Sequence, residues 1–177
     1  MNLYLRFLGL LLRIPFIVRR GVLEPSRARF RVWPSDCDLN FHMNNGRYLT
    51  LMDLGRAHLL AQMGFLGTIA RRRWAPVLAA AEISYIRALN PLQRFTLVTR
   101  LLTWDEKYFY LEQRFESDSA LCAVALVKGL FIAPQGRLAP SEMLTTLGIE
   151  MPPPTMPAVV QHWNELAALK KEHVPLG

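Results

Sequence analysis

The strongest constraint on this chain is the order of its apolar periods: one long stretch at helical spacing, then four at strand spacing with short breaks between them. Tyr48, Leu51, Met52, Gly55, Leu59 and Met63 recur as on one face of a helix. Asn44 or Asn45 can cap its start, and Gly64 supplies a stop. Residues 77–88, 94–103, 107–116 and 120–133 are apolar-rich, broken at Asn90-Pro91, Trp104-Asp105-Glu106 and Ser117-Asp118-Ser119. With the alternating segment 27–33 ahead of the helix, the pattern predicts an α+β domain. About five antiparallel strands form one curved sheet around one long central helix, the last four as a meander. Gly55 costs that helix about 1 kcal/mol relative to alanine. Another backbone is therefore expected to pass close to it, and Ala79, Ala80 and Ala81 are small enough to permit the approach.

A chain of 177 residues, half of them apolar, suits one core rather than two. The divisions are an amphipathic segment at 1–26, the main domain at 27–133, and an extension at 134–177. In the extension a short helix is expected over 140–147 and a last one over 159–171, with prolines 152, 153, 154 and 157 excluding helix between them.

The formal charge is +7, and its placement matters more than its size. The first 31 residues hold seven arginines against Glu24 alone, a net +6, leaving 14 basic and 13 acidic side chains elsewhere. No basic-aromatic motif of the RNA-binding kind accompanies them, so nucleic acid is not an expected partner. Arg6 and Arg13 interrupt the first 18 residues too early for a signal-peptide core, and the segment is too short to span a bilayer. On a helix, Asn2, Arg6, Gly9 and Arg13 make a polar stripe opposite a broad apolar face. Such a helix either lies in a membrane interface, making residues 2–20 a peripheral contact, or packs on its own domain or a subunit partner. Cys37 and Cys122 form no staple framework, and His42, His58, His162 and His173 show no ligand spacing. No metal or cofactor is implied, and a reducing, cytoplasmic setting is expected.

The run Ser35-Asp36-Cys37-Asp38-Leu39-Asn40-Phe41-His42-Met43-Asn44-Asn45-Gly46-Arg47-Tyr48 resembles the D-x-D…H-x-N-N-x-x-Y signature of hotdog-fold thioesterases related to 4-hydroxybenzoyl-CoA thioesterase. The resemblance covers about residues 27–133. A narrower likeness, to the member-6 group of the thioesterase superfamily, rests on the same run, on LLTWDEKYFYLEQRF at 101–115 and on Gln161-His162-Trp163. It implies a hotdog fold, an acyl-CoA substrate, and a homodimer or homotetramer with sites at the subunit interface. It also implies that Asp38 takes the place of the catalytic carboxylate. Thioester hydrolysis needs a carboxylate that activates water or attacks directly, and a group that polarises the carbonyl. Free N–H groups at the helix start suit the second task.

Around Asp38, His42 is either a base or a group that holds the loop by hydrogen bonds. Asn45 either holds the loop or meets the thioester, and Asn44, Gly46 and Tyr48 complete the candidates for substrate binding. Asp36 reads as a turn residue or an arginine partner. Cys37, between two carboxylates, is a poor nucleophile. The leading expectation is hydrolysis of medium- or long-chain acyl-CoA by carboxylate-assisted water attack. A catalytically weak acyl-binding or membrane-associated scaffold and an acyl-carrier-protein thioesterase are the alternatives. A hotdog dehydratase is disfavoured, since its motif is not apparent. Phe41, where many relatives carry glycine, alters the surroundings of the base candidate.

Overall fold

The structure, a computed structural model, describes residues 2–118 and 120–172. The elements run α1 (Asn2–Arg13), β1 (Ser26–Arg31), α2 (Asn45–Gln62), α3 (Leu66–Arg71), β2 (Ala75–Tyr85), β3 (Arg94–Trp104), β4 (Phe109–Ser117), β5 (Ala120–Ala133), β6 (Gly136–Leu138), α4 (Pro140–Thr146) and α5 (Ala158–Glu172). All strand pairs are antiparallel, in the order β1-β3-β4-β5-β2, with β6 on β5. The sheet curls around α2, as the sequence predicts. Short α3 and three-residue β6 are additions that no sequence period announces.

The meander holds only for β3, β4 and β5. Strand β2 pairs with β5 at the far edge, and residues 86–93 cross the end of the sheet to return to β3. Backbone bonds fix that crossing. Ile86 and Arg87 donate to the Cys122 carbonyl at 2.8 and 3.0 Å, and Leu92 donates to that of Val32 at 2.8 Å. Between them Leu89, fully buried, plugs the end of the core and accepts from the Met43 N–H at 2.9 Å.

Asn44 caps α2 by accepting from the Gly46 N–H at 2.9 Å, and Gly64 ends it at φ +78°. The buried face of α2 carries Tyr48, Leu51, Met52 and Leu59 against Leu97, Phe95 and Phe115. Gly55 does lie at a close approach, but against side chains rather than backbone. A Cβ there would stand 2.6 Å from Leu97 Cδ2, 2.7 Å from Thr99 Oγ1 and 2.8 Å from Gln113 Nε2. Ala79, Ala80 and Ala81 are not its partners, because β2 lies at the sheet edge, largely exposed. Gln113 is fully buried and donates to Thr99 Oγ1 at 2.9 Å and to the Met52 carbonyl at 3.0 Å, while its own carbonyl accepts from Arg56 at 2.9 Å.

Helix α5 covers the outer face of the sheet, burying Val160 and Trp163 beside Tyr110. The Tyr110 hydroxyl donates to Asp105 at 2.7 Å and accepts from Asn164 at 3.0 Å. Helix α1 docks near the opposite end of the chain's course. Arg6 donates to Asp36 at 2.5 Å and to the Arg31 carbonyl at 2.9 Å, and Arg20 N–H reaches the Gln62 carbonyl at 3.1 Å. Half of the polar stripe thus faces the protein: the Arg6 side chain is only 11 % exposed and not free to sit at a headgroup.

Two stability predictions follow from α2. Alanine at position 55 gains about 1 kcal/mol of helix propensity. Overpacking against fully buried neighbours costs about 1–3 kcal/mol, and displaced Gln113 bonds cost about 1–3 kcal/mol more. Gly55→Ala should therefore lower Tm, by about 2–4 °C per kcal/mol lost, as thermal melts will read. His58 meets Ser26 Oγ through Nδ1 at 2.5 Å, and Ser26 is buried. Burial pushes the His58 imidazolium below its ordinary range. The unfolded chain takes up that proton first, so the associated stability is full above the ordinary histidine range and is lost as pH falls through it. Melts between pH 7.5 and 5.5 should show a falling Tm, with a shallower slope for His58→Gln.

Candidate active site

The motif segment between β1 and α2 folds as a small hairpin. Pro34–Asp36 makes one 3-10 turn, after which Cys37 pairs with Met43 in an antiparallel bridge. Asp38 N–H donates to the His42 carbonyl and Phe41 N–H to the Asp38 carbonyl, both at 3.1 Å. Asp38 and His42 therefore stand opposite each other at the hairpin base. At its tip, Leu39 and Phe41 project into solvent, 96 % and 77 % exposed. Phe41 has φ +58°, in the left-handed region that favours glycine. A glycine would adopt that turn without strain.

Asp38 is half-buried. One oxygen, Oδ1, accepts from the Asn40 N–H at 2.9 Å, an Asx-turn that shapes the tip; the other has no hydrogen-bond partner among the described residues. The His42 ring and the Asn45 side-chain amide are likewise without partners there. Asn44 spends its side chain on the Gly46 N–H, which removes that donor from substrate. The N–H of Asn45 is left, since the first residue of a helix has no intrahelical acceptor. The Asn45 carbonyl accepts from the Tyr85 hydroxyl at 3.3 Å, linking the site to the end of β2.

Tyr48 is placed apart from this group. Only 2 % exposed, it packs against Phe115 and Tyr85 at ring-centroid distances of 4.8 and 5.1 Å. Burial pushes its hydroxyl up to about 12, so it stays a phenol. Burial, then Asp36 and Asp38, raise the Cys37 thiol above its ordinary range, which leaves little thiolate for attack. The structure thus pairs Asp38 with His42 across the hairpin, joins that loop to the capped helix start through the Asn44 N–H to Asp36 carbonyl bond, and sets Tyr48 in the core.

Asp36, beside this group, is 2 % exposed and accepts from the Trp33 N–H at 2.8 Å as well as from Arg6; Arg47 Nε lies 3.8 Å away. It is an arginine partner that holds the loop.

A cavity of about 720 Å³ lies further along α2. Its walls come from the second half of α2, from α3 and α4, from the start of β2, from the facing parts of β3, β4 and β5, and from Phe7 and Leu11 of α1. The lining is almost wholly apolar, with Asp53 and Arg56 the only charged side chains in it among the described residues. The two pair with each other, and Arg56 also donates to Gln113. The volume falls within the roughly 300–1,000 Å³ of small-molecule sites. None of the motif residues lines it: Asn45 and Asp53 are eight residues apart, about 12 Å of helix. Sequence reading missed this cavity. Among the described residues, no three His, Cys, Asp or Glu side chains are grouped to hold a metal ion.

The chain matches the thioesterase-like superfamily over residues 32–164, which is 133 of its 177 residues. It is 36 % identical to Protein THEM6 of Danio rerio over 148 residues, covering 81 % of this chain and 71 % of that one. In structure it resembles YbaW, a probable thioesterase of Escherichia coli, with TM-score 0.63 and 23 % identity over 69 % of this chain and 95 % of the other. It also resembles Slr0204, a 1,4-dihydroxy-2-naphthoyl-CoA thioesterase from Synechocystis, with TM-score 0.61 and 15 % identity over 70 % and 95 %. The structural likenesses establish the hotdog fold. By the span of the superfamily match and the identity to its relative, this chain is a member of the thioesterase-like superfamily.

Proposed function

We propose that the protein hydrolyses medium- or long-chain acyl-CoA at a site that two copies build together. The observation that carries this reading is the placement of the two halves of a site at opposite ends of β2. The Tyr85 end is bonded to Asn45 beside the Asp38 loop; the Ala75 end runs into Pro76, Val77 and Leu78, which line the cavity. Strand β2 is also a free edge of eleven residues, with Val77 and Leu78 42 % and 50 % exposed. Such an edge is a template for another strand. A two-fold antiparallel pairing over the whole strand centres on Ala80 and sets Tyr85 opposite Ala75 of the partner subunit. Each Asp38 loop then stands at the mouth of the other copy's cavity, and the exposed Leu39 and Phe41 gain apolar cover.

In that arrangement the acyl chain lies in the cavity and the thioester at the loop. The free oxygen of Asp38 takes a proton from water as the water oxygen attacks the carbonyl carbon. The Asn45 N–H, at the positive end of α2, receives the developing oxyanion. The carbon–sulfur bond then breaks, and the thiolate of coenzyme A leaves and takes up a proton. Arg71, Arg72 and Arg73, all exposed just ahead of Ala75, suit the phosphates of coenzyme A at the same mouth. Both cysteines are free, which fits a reducing compartment such as the cytoplasm.

One observation favours a second reading, a catalytically weak acyl-binding scaffold: Asp38 already has a structural task in its turn with Asn40. A panel of acyl-CoA esters with thiol detection separates the two. Asp38→Asn should lower turnover by about 100- to 10,000-fold with Tm little changed, while Cys37→Ala keeps its activity. Survival of activity in folded Asp38→Asn would move the base to His42, and absence of turnover at every chain length would favour the scaffold. Sedimentation at micromolar concentration should give at least twice the 20.3 kDa of one chain. A clean monomer would remove the composite site.

A further inference from the structure

The broad apolar face of helix α1 is only partly covered by the domain. At one margin of it Phe7 and Leu11 line the cavity. Along the rest Tyr4, Leu8 and Leu12 are 79, 52 and 67 % exposed, with Leu5 at 64 % beside them, and Phe16 in the turn after the helix is 84 % exposed. A helix on the surface of a globular protein ordinarily turns charged and polar side chains outward. This one cannot rotate its apolar side inward, because Arg6 is held by buried Asp36 and the Arg31 carbonyl, and Arg20 N–H by the end of α2. The outward stripe is thus a fixed feature of the fold, about 18 Å long from Tyr4 to Phe16.

We infer that this stripe seats the protein on an anionic lipid surface, so that α1 is at once the membrane contact and a wall of the acyl cavity. Charge selects the occupant. No acidic residue precedes Glu24, which pairs with Arg20, while Arg13 and Arg19 on the same N-terminal segment are exposed. A second copy brought to the same face would set those arginines against their own kind, whereas anionic headgroups meet them. The helix lies on the surface rather than crossing it: twelve residues span about 18 Å against a hydrocarbon core of about 30 Å. Among the described residues no helix is long and apolar enough to cross a membrane. Phe7 and Leu11, each 43 % exposed, stand between the stripe and the cavity. An acyl chain dissolved in the leaflet can therefore pass between them into the cavity without crossing water. This last step rests on the thioesterase reading and narrows the substrate class to acyl chains long enough to partition into membranes.

Flotation of the full chain with vesicles of phosphatidylcholine, with and without 30 % phosphatidylglycerol, tests the contact without any reference to activity. The wild-type chain should float with the anionic vesicles at low salt, and less with neutral ones or at high salt. The double variant Leu8→Glu/Leu12→Glu leaves Arg6, Phe7 and Leu11 untouched. Its partition should fall at least about tenfold with Tm unchanged. Arg13→Gln/Arg19→Gln should lose the dependence on lipid charge. Equal flotation of the wild type and the Leu8/Leu12 variant, or none of the wild type with anionic vesicles at low salt, would overturn the inference. Dissociation of an oligomer by that variant, with flotation unchanged, would assign the stripe to a second copy and overturn it equally. Flotation without acyl-CoA turnover would uphold the membrane contact and reject the enzymatic reading; turnover without flotation would do the reverse.

Discussion

A carboxylate that is 2 % exposed cannot stay charged without partners, and the partners of Asp36 tie together the parts of this molecule that matter for chemistry. Its side chain takes the Trp33 N–H and the Arg6 guanidinium, with Arg47 close by, and its backbone carbonyl takes the N–H of Asn44, the cap of α2. One residue thus sets the end of β1, the loop, the start of α2 and the position of α1. Breaking a buried pair from one side costs about 3–5 kcal/mol. The strain falls on the loop that carries Asp38 and on the helix that walls the cavity, so the two halves of the candidate site share one anchor.

The second constraint is the contact at Gly55. It lets α2 sink into the curl of the sheet until its backbone meets Thr99 and Gln113, and the price is a buried amide that must be satisfied. Gln113 commits both amide protons and its carbonyl oxygen there, to Met52, Thr99 and Arg56. Arg56 in turn holds Asp53, and these two are the charges that line the cavity. Burial pushes the Arg56 guanidinium down, with Asp53 opposing that shift. A polar network built for packing therefore also decides which charged groups line the cavity.

The elements that follow from local period were legible in the sequence: α2 with its cap and stop, and four of the five long strands within two residues at either end. Their order was not. The place of β2 depends on backbone bonds from residues 86–93 to Cys122 and Val32, partners some 30 to 60 positions away that no periodicity encodes. Gly55 announced a close approach but not its partner, since glycine records the missing Cβ and nothing about what fills the space. The loop was readable because its residues are contiguous: Asp38 and His42 pair across one hairpin, and Asn44 caps the helix that follows. Tyr48, four residues on from that cap, enters the core instead, where it packs against Phe115 and Tyr85. The cavity escaped notice for the opposite reason, being assembled from several helices and four strands, each contributing ordinary apolar residues. Arg6 misled in a specific way. Its place in a polar stripe was correct, but a stripe can be satisfied by a buried carboxylate as well as by water or lipid.

Strand β2 carries a tension that the rest of the sheet does not. An exposed edge of eleven residues is usually blunted by charge, proline or a bulge. Here Pro76 and Glu82 stand near the two ends, and the one bulge, between Leu78 and Ala80, affects the register with β5. The three alanines in the middle leave the edge flat and unobstructed, which in a chain meant to stay single is a liability for uncontrolled association. In the two-fold pairing proposed above, the same alanines would sit at the axis and leave nothing bulky or charged to oppose the approach of the second strand, and the loop and the cavity would lie at the two ends. What reads as an unprotected edge in one chain would then be the geometry that a composite site needs.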